Sequence, residues 1–355
     1  MIRIKKFKFT KPKELDEMKH TLGKRILGIL LAGVMSMLAA GCASTSQSAS
    51  SEQAENTTLR IGAQPYPLYI PVYVAKELGY LDEELQAVGA SYEWDEFQSG
   101  PLVNEAAAAG EIDMGFMADL PAIIAKSSGQ DIEVVSNVAY GEKGLAVLVS
   151  PNSNISSIAD LKGKKVAYAT GSYAQHLLAL LLSKEDLSLD DVQSVNLGAG
   201  DSPAALESGE VDAIVIWEQY ISQLTSEGKA KVLADGTGVK RGNMVTYFTT
   251  DYAKQHPDVV KAYIKALNRA DEQLKKDPDG CAKAIASDFG IDETLMEQII
   301  GNFTYLTALT PDDIAEITAV KDFSLQSGII QSDVDMNSFI NTTYVDEVNQ
   351  TNENG

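Results

Sequence analysis

The sequence predicts an α/β protein of two similar lobes, each a mixed, mainly parallel sheet flanked by helices. Three observations carry that expectation. Short apolar runs alternate with helical stretches from Leu59 onward, the signature of α/β units with parallel strands. A helix–glycine–strand pattern occurs twice, as Pro101-Leu102-Val103-Asn104-Glu105-Ala106-Ala107-Ala108-Ala109-Gly110-Glu111-Ile112-Asp113 and as Pro203-Ala204-Ala205-Leu206-Glu207-Ser208-Gly209-Glu210-Val211-Asp212. Two further apolar runs, Gly144 to Val149 and Met244 to Thr249, stand where the chain would cross between lobes, and a pair of crossing strands makes a hinge.

The elements follow in order. Leu59 to Ala63 reads as a strand, and Pro71 to Gly79 as a helix closed by its glycine. A strand near Tyr92 to Phe97, a helix from Leu102 to Ala109, a strand from Ile112 to Phe116 and a helix from Pro121 to Ser128 complete the opening lobe. In the repeated pattern, proline suits the first helical turn and glycine the left-handed C-cap. From Asp251 the pattern turns helical: Pro257 to Lys275, Cys281 to Phe289, Asp292 to Phe303 and Pro311 to Ser327. The expected division is 59–148 and 246–340 for the first lobe, 149–245 for the second, and a tail from 341 to 355.

Before the first strand the chain carries addressing signals. Arg25 is followed by an apolar run, Ile26 to Leu38, short of the about 20 residues a membrane span requires and flanked like a secretory signal peptide. It ends in Leu38-Ala39-Ala40-Gly41-Cys42, which resembles a bacterial lipobox, so Cys42 is expected to accept a diacylglyceryl anchor after removal of residues 1–41. Met18 begins an ordinary basic leader and is the expected translation start. Residues 42–58 are serine-rich and poor in apolar groups, a composition that gives a flexible tether reaching roughly 20–24 Å.

The formal net charge is −21, and loss of the basic leader deepens it. Such acidity argues against nucleic acid and anionic headgroups as partners. Cys281 is the only cysteine besides Cys42, so no intramolecular disulfide is expected once Cys42 is lipidated. The sequence contains no Walker loop, GxSxG elbow or HExxH helix. After the leader only His176 and His256 remain, too few for a zinc cluster, and no cofactor is expected.

The candidate binding groups are loops that feed helix N-termini. Gln98-Ser99-Gly100-Pro101 opens one helix, and Thr170-Gly171-Ser172-Tyr173 opens another. Unpaired N–H groups and the helix dipole make such sites receptive to anions, and Ser99 and Ser172 can each add a hydroxyl donor or act only as N-caps. Gln64, Tyr66 and Tyr69 lie in the aromatic-rich turn after the first strand. Trp217 and Glu218 close the apolar run Ala213 to Ile216, at the strand end that faces the crevice in an α/β lobe.

These motifs resemble the substrate-binding proteins of ABC importers for aliphatic sulfonates, taurine and nitrate. The resemblance is carried by Glu96 to Pro101, Gly110 to Gly115, Ala118 to Pro121, Ile158 to Ala167, Gly171-Ser172, and Gly209 to Ala213 leading to Trp217-Glu218-Gln219-Tyr220. It implies the two-lobed periplasmic-binding-protein fold with ligand in the cleft, and it places Ser99, Gly100, Asp119, Ser172, His176, Asp201 and Trp217 at or near that cleft. It further implies a permease and an ATPase as partners, a monomer on a lipid anchor outside the cytoplasm, and no enzymatic activity. Sulfonate binders of this type tend to carry an arginine two residues after the aspartate matched by Asp201; this chain has Pro203. Taurine, nitrate, a thiamine-precursor pyrimidine, an enzyme and a sensor stand as the alternatives to organosulfonate delivery.

Overall fold

Two sheets divide the apolar strands between them. The computed structural model describes residues 57–353; the leader, Cys42 and the tether up to residue 56 lie outside the described residues. The strands are β1 (Thr57–Ala63), β2 (Ala90–Glu96), β3 (Met114–Ala118), β4 (Ile132–Tyr140), β5 (Leu145–Val149), β6 (Lys165–Tyr168), β7 (Gln193–Asn196), β8 (Ala213–Trp217), β9 (Lys231–Asp235), β10 (Asn243–Thr249) and β11 (Thr304–Tyr305). The first sheet has the order β11-β4-β10-β3-β1-β2 and the second β7-β6-β8-β5-β9.

The repeated sequence pattern occupies equivalent places. Helix Gly100–Ala108 leads into β3, and helix Ser202–Ser208 leads into β8. Gly110 (φ 72°) and Gly209 (φ 74°) both take the left-handed conformation that ends each helix, which only glycine adopts without a Cβ penalty. β3 then pairs parallel with β1, and β8 pairs parallel with β6. On its other side β3 meets β10 and β8 meets β5, both antiparallel. The order β2-β1-β3-β10-β4 is thus matched by β7-β6-β8-β5-β9. Parallel pairing among the named strands is confined to β2-β1-β3 and β7-β6-β8, because β5 and β10 run against the strands they join, and the sheets hold more antiparallel pairing than the strand–helix alternation alone suggests.

The apolar runs read as crossings each lie wholly within one sheet, β5 in the second and β10 in the first. The chain changes sheets just before them, at residues 141–144 and 236–242. These segments run side by side: the Gly141 N–H donates to the Arg241 carbonyl at 3.1 Å, and the Gly236 N–H donates to the Glu142 carbonyl at 2.9 Å. The second segment is fastened to the first-sheet half. Arg241 lies 3.8 Å over the Tyr140 ring and 3.0 Å from Asp313, while Asn243 donates to Asp313 at 2.8 Å.

The C-terminal helices Pro257–Lys276, Pro278–Ile285, Glu293–Ile300 and Pro311–Gln326 follow the helical pattern closely. Thr310 and Asp313 form a reciprocal capping box at the last of these. The stretch expected as a tail does not hang free: helix Thr343–Glu353 buries Val345 and Val348, and the Asn341 N–H donates to the Val134 carbonyl on β4 at 2.9 Å. Docking of this short helix against the core supplies the stability that propensity does not. The tether ends slightly earlier than expected, since Thr57 and Thr58 already pair with β2.

Several acidic side chains sit inside this framework, and one of them lacks a full set of partners. Asp271, on helix Pro257–Lys276, is 5% exposed and its Oδ1 has no hydrogen-bond partner. Burial pushes its carboxyl up to about 8, with Lys275 pulling it back and Glu272 adding to the rise. The folded protein therefore keeps a proton that the unfolded chain releases near pH 4, and stability falls as pH rises between about 4 and 8. Asp271→Asn should remove that slope, raising stability at pH 8 by on the order of a few kcal/mol and leaving it unchanged near pH 4. Urea titrations at the two pH values check this.

Candidate functional site

Helix starts from both halves meet at one small cavity. It is lined by Gln64, Tyr66, Leu68, Tyr69, Gly100, Ala118 and Pro121 from the first half and by Ser172, Tyr173 and Trp217 from the second. The halves are closed upon it: about 10 Å³ is open to the centre of a water-sized sphere, room for about one water.

Each lining side chain is positioned by ordinary chemistry. The Gln64 Nε2 donates to the Phe116 carbonyl at 2.8 Å, and the Gln64 carbonyl accepts the Tyr73 hydroxyl at 3.0 Å, so the turn after β1 is locked to β3. The Tyr66 hydroxyl donates to the Gln98 carbonyl at 2.9 Å. Its ring meets Trp217 edge-on with centroids 5.4 Å apart, and Trp217 lies 6.0 Å from Tyr173. The Tyr173 hydroxyl donates to the Gly144 carbonyl at 3.1 Å, tying the second half to the crossing segment. Gly100 stands against Pro121, where an added Cβ would come within 2.7 Å of the ring.

The two serines differ. Ser172 is a working N-cap: its Oγ accepts the Ala174 N–H at 3.2 Å and donates to the Ala169 carbonyl at 2.6 Å. Ser99 makes no side-chain cap, so its hydroxyl is not committed to the helix beside the cavity. Trp217 is 3% exposed, and its Nε1–H has no partner. A sealed indole donor without an acceptor costs about 1–3 kcal/mol, a cost that an incoming acceptor removes.

Other residues expected at the cleft lie elsewhere. Asp119 is fully buried, and both its oxygens accept from Lys240 Nζ, at 2.9 and 2.7 Å, while Oδ1 also accepts the Leu120 N–H. It anchors the second crossing segment and is absent from the lining. His176 is 2% exposed on helix Tyr173–Lys184, against Phe323 of helix Pro311–Gln326, with centroids 5.2 Å apart. It thus packs between the halves, beside the cavity. Gly171 is half-buried, its N–H donating to Gln175 Oε1. Asp201 is exposed beyond Tyr220. Glu218 is buried, accepts the Ser222 N–H and hydroxyl, and lies 3.4 Å from Asn302 Nδ2. With the Gln219 Nε2 donating to the Phe289 carbonyl at 2.9 Å, this stretch fastens the second half to the C-terminal helices. Sequence reasoning missed Lys240 and Asn302, which bear on the site only through distant partners, Asp119 and Glu218.

A family description, NMT1/THI5 like, matches residues 67–281. The chain belongs to that family. A Bacillus subtilis protein named for binding aliphatic sulfonates is 29% identical over 330 residues, covering 92% of this chain and 98% of the relative. The alkanesulfonate-binding protein from Xanthomonas axonopodis pv. citri, solved bound to MOPS, superposes with a TM-score of 0.74 at 29% identity, covering 82% of this chain and all (100%) of the other. A Candida albicans protein described as having the generic periplasmic binding protein fold matches with a TM-score of 0.67 at 17% identity, covering 81% and 96% of the two chains. The fold of this NMT1/THI5-like chain is therefore the periplasmic-binding-protein fold, with two mixed α/β halves.

Two buried groups give tests of how the halves of the NMT1/THI5-like chain hold together. Removing one partner of a buried ion pair strands the other charge, so Lys240→Met should cost about 3–5 kcal/mol, and Asp119→Leu combined with it should recover part of the loss. Equilibrium unfolding of the single and double variants measures both. His176 is held neutral, first by burial and then by the Lys240 charge. The unfolded chain takes up that proton near pH 6.5, so the stability present above pH 6.5 is lost as pH falls below it. His176→Gln should flatten the acid slope of the melting temperature between pH 7.5 and 5.0.

Proposed function

We propose that this protein is a non-catalytic, extracytoplasmic solute-binding protein that captures a small organosulfonate between its halves and delivers it to an ABC permease and ATPase. It works as a monomer held at the membrane through lipid on Cys42. The observation that carries this reading is that two helix N-termini and Trp217, whose Nε1–H is unpartnered, line one cavity shared by both halves.

The physical argument concerns desolvation. A sulfonate stays anionic at any physiological pH, and burying it without donors costs several kcal/mol or more. Backbone N–H groups at Gly100 and Tyr173, together with the indole N–H, are donors that need no cation of their own. Gln64, Tyr66, Gly100, Ser172, Tyr173 and Trp217 are the assigned contacts. Asp119, His176 and Glu218 hold the halves in place. The relatives named for binding sulfonates support the same ligand class. Closure over the guest, with opening at the crossing segments, is the expected motion.

Titration calorimetry with ethanesulfonate, taurine, nitrate and a hydroxymethylpyrimidine tests the assignment. A sulfonate should bind and be recovered unchanged. Trp217→Phe should weaken that binding roughly 10–100-fold, the value of one hydrogen bond to a charged group, while shifting the melting temperature little. Binding of the pyrimidine alone, or recovery of a reaction product, would overturn the reading.

A further inference from the structure

His176 sits at the junction of the halves without a polar partner. It belongs to helix Tyr173–Lys184, which packs on helix Asp119–Ser127 of the first half. Its ring lies 5.2 Å from that of Phe323, on helix Pro311–Gln326 of the same half. The residue is 2% exposed, and neither Nδ1 nor Nε2 meets a hydrogen-bond partner among the described residues. A neutral imidazole carries one N–H and an imidazolium two. Behind Phe323 both forms lack an acceptor, but the imidazolium also loses the hydration of a full charge, a much larger cost.

Solvent is one side chain away. A groove of about 470 Å³ runs between the halves, lined by Gln175, Ala179 and Ser183 of the histidine's own helix and by Phe323, Gln326 and Ile329 of the first half. Phe323 thus lines the groove and covers His176 at once, so parting the halves uncovers the ring. Lys240 is the charged group that acts on the ring, and it disfavours the imidazolium. Strands β5 and β8, against which the helix packs, carry no charged residue. The carboxylates of the other neighbouring elements are engaged elsewhere: Asp119 with Lys240, Asp313 with Arg241, Glu316 with the Arg241 N–H, Asp160 with Ser156 and Ser157, Asp191 with Lys162, and Asp322 with Lys321. Asp190 and Asp312 are exposed, Lys126 lies 3.8 Å from Asp131, and Lys184 donates to the Gly238 carbonyl.

We propose, resting on the sulfonate reading above, that His176 couples capture to proton release: the halves shut over a guest only with this ring neutral, so acidification opens the site. In the open form the uncovered ring takes up a proton near pH 6.5, the ordinary histidine range. Closure behind Phe323 expels it. Affinity is therefore full above pH 6.5 and falls as pH drops below that value. The cavity lining contributes nothing in this range, because burial pushes the hydroxyls of Tyr66, Tyr69 and Tyr173 upward, away from it. Glu218, also at the junction, has the opposite sign: burial raises its carboxyl, so closure there favours proton uptake. The direction of proton exchange separates the two groups.

Titration calorimetry with ethanesulfonate, butanesulfonate and taurine at pH 5.5 and 7.5, in pairs of buffers that differ in ionisation enthalpy, reads both affinity and proton exchange. Binding should be about 10-fold weaker at pH 5.5 than at pH 7.5, with about one proton released per guest at the lower pH and almost none at the higher. His176→Gln should flatten the affinity profile and abolish the release. Phe323→Ala, which keeps the histidine but opens the groove to it, should cut the release by more than about half; it guards against a folding defect in the Gln variant. Sulfonate binding without proton release at pH 5.5, or release that persists in His176→Gln, would overturn the coupling and leave the sulfonate reading intact. No binding of any of the three probes at pH 7.5 would overturn the sulfonate reading and the proposal with it.

Discussion

The ion pair between Asp119 and Lys240 is the constraint around which the two halves are organised. Lys240 belongs to the second crossing segment, and Asp119 opens the helix that follows β3, so the pair fixes where the chain leaves the second sheet and enters the first. Both side chains are almost wholly removed from solvent, at 1% and 0% exposure. A charge pair so deeply buried gains little over an apolar pair of the same volume, but losing either partner is costly. Its worth lies in placement: Arg241 and Asn243, its chain neighbours, are drawn onto Asp313, and β10 is seated between β3 and β4.

That placement creates the cavity. With β10 and β5 each returning against a parallel set, the ends of β1, β3 and β8 face the same gap from opposite sides. Helix starts at Gly100 and Tyr173 aim their amides there, and the rings of Tyr66, Tyr69, Tyr173 and Trp217 fill it. Because formal charges are held behind the lining, recognition falls to dipoles, ring faces and a single indole donor. Such groups are already oriented by packing, so little ordering entropy remains to be lost when a guest arrives.

The contacts that join the halves lie around the cavity. His176 packs on Phe323 on one side, while Glu218 and Gln219 reach Asn302 and Phe289 on another. Opening would separate these pairs along with the Tyr66–Trp217 contact, so their combined strength sets how much binding energy a guest must return to keep the halves closed.

The chain's periodicities determined the alternation of strands and helices, the paired proline–glycine units, the helical C-terminal region and the two loops that feed helix starts. These are local matters: φ preference, capping and apolar spacing are written into neighbouring residues. It also singled out Gln64, Tyr66, Gly100, Ser172, Tyr173 and Trp217, which stand together in the structure because strand ends and helix starts are themselves legible. Only the tertiary structure decided that Asp119 would face Lys240 and not the cavity, that Ser172 would cap its helix while Ser99 would not, and that Glu218 would fasten one half to the other. Those outcomes depend on which side chain of distant sequence fills the adjoining space, and a buried carboxylate takes whichever donor the packing brings to it.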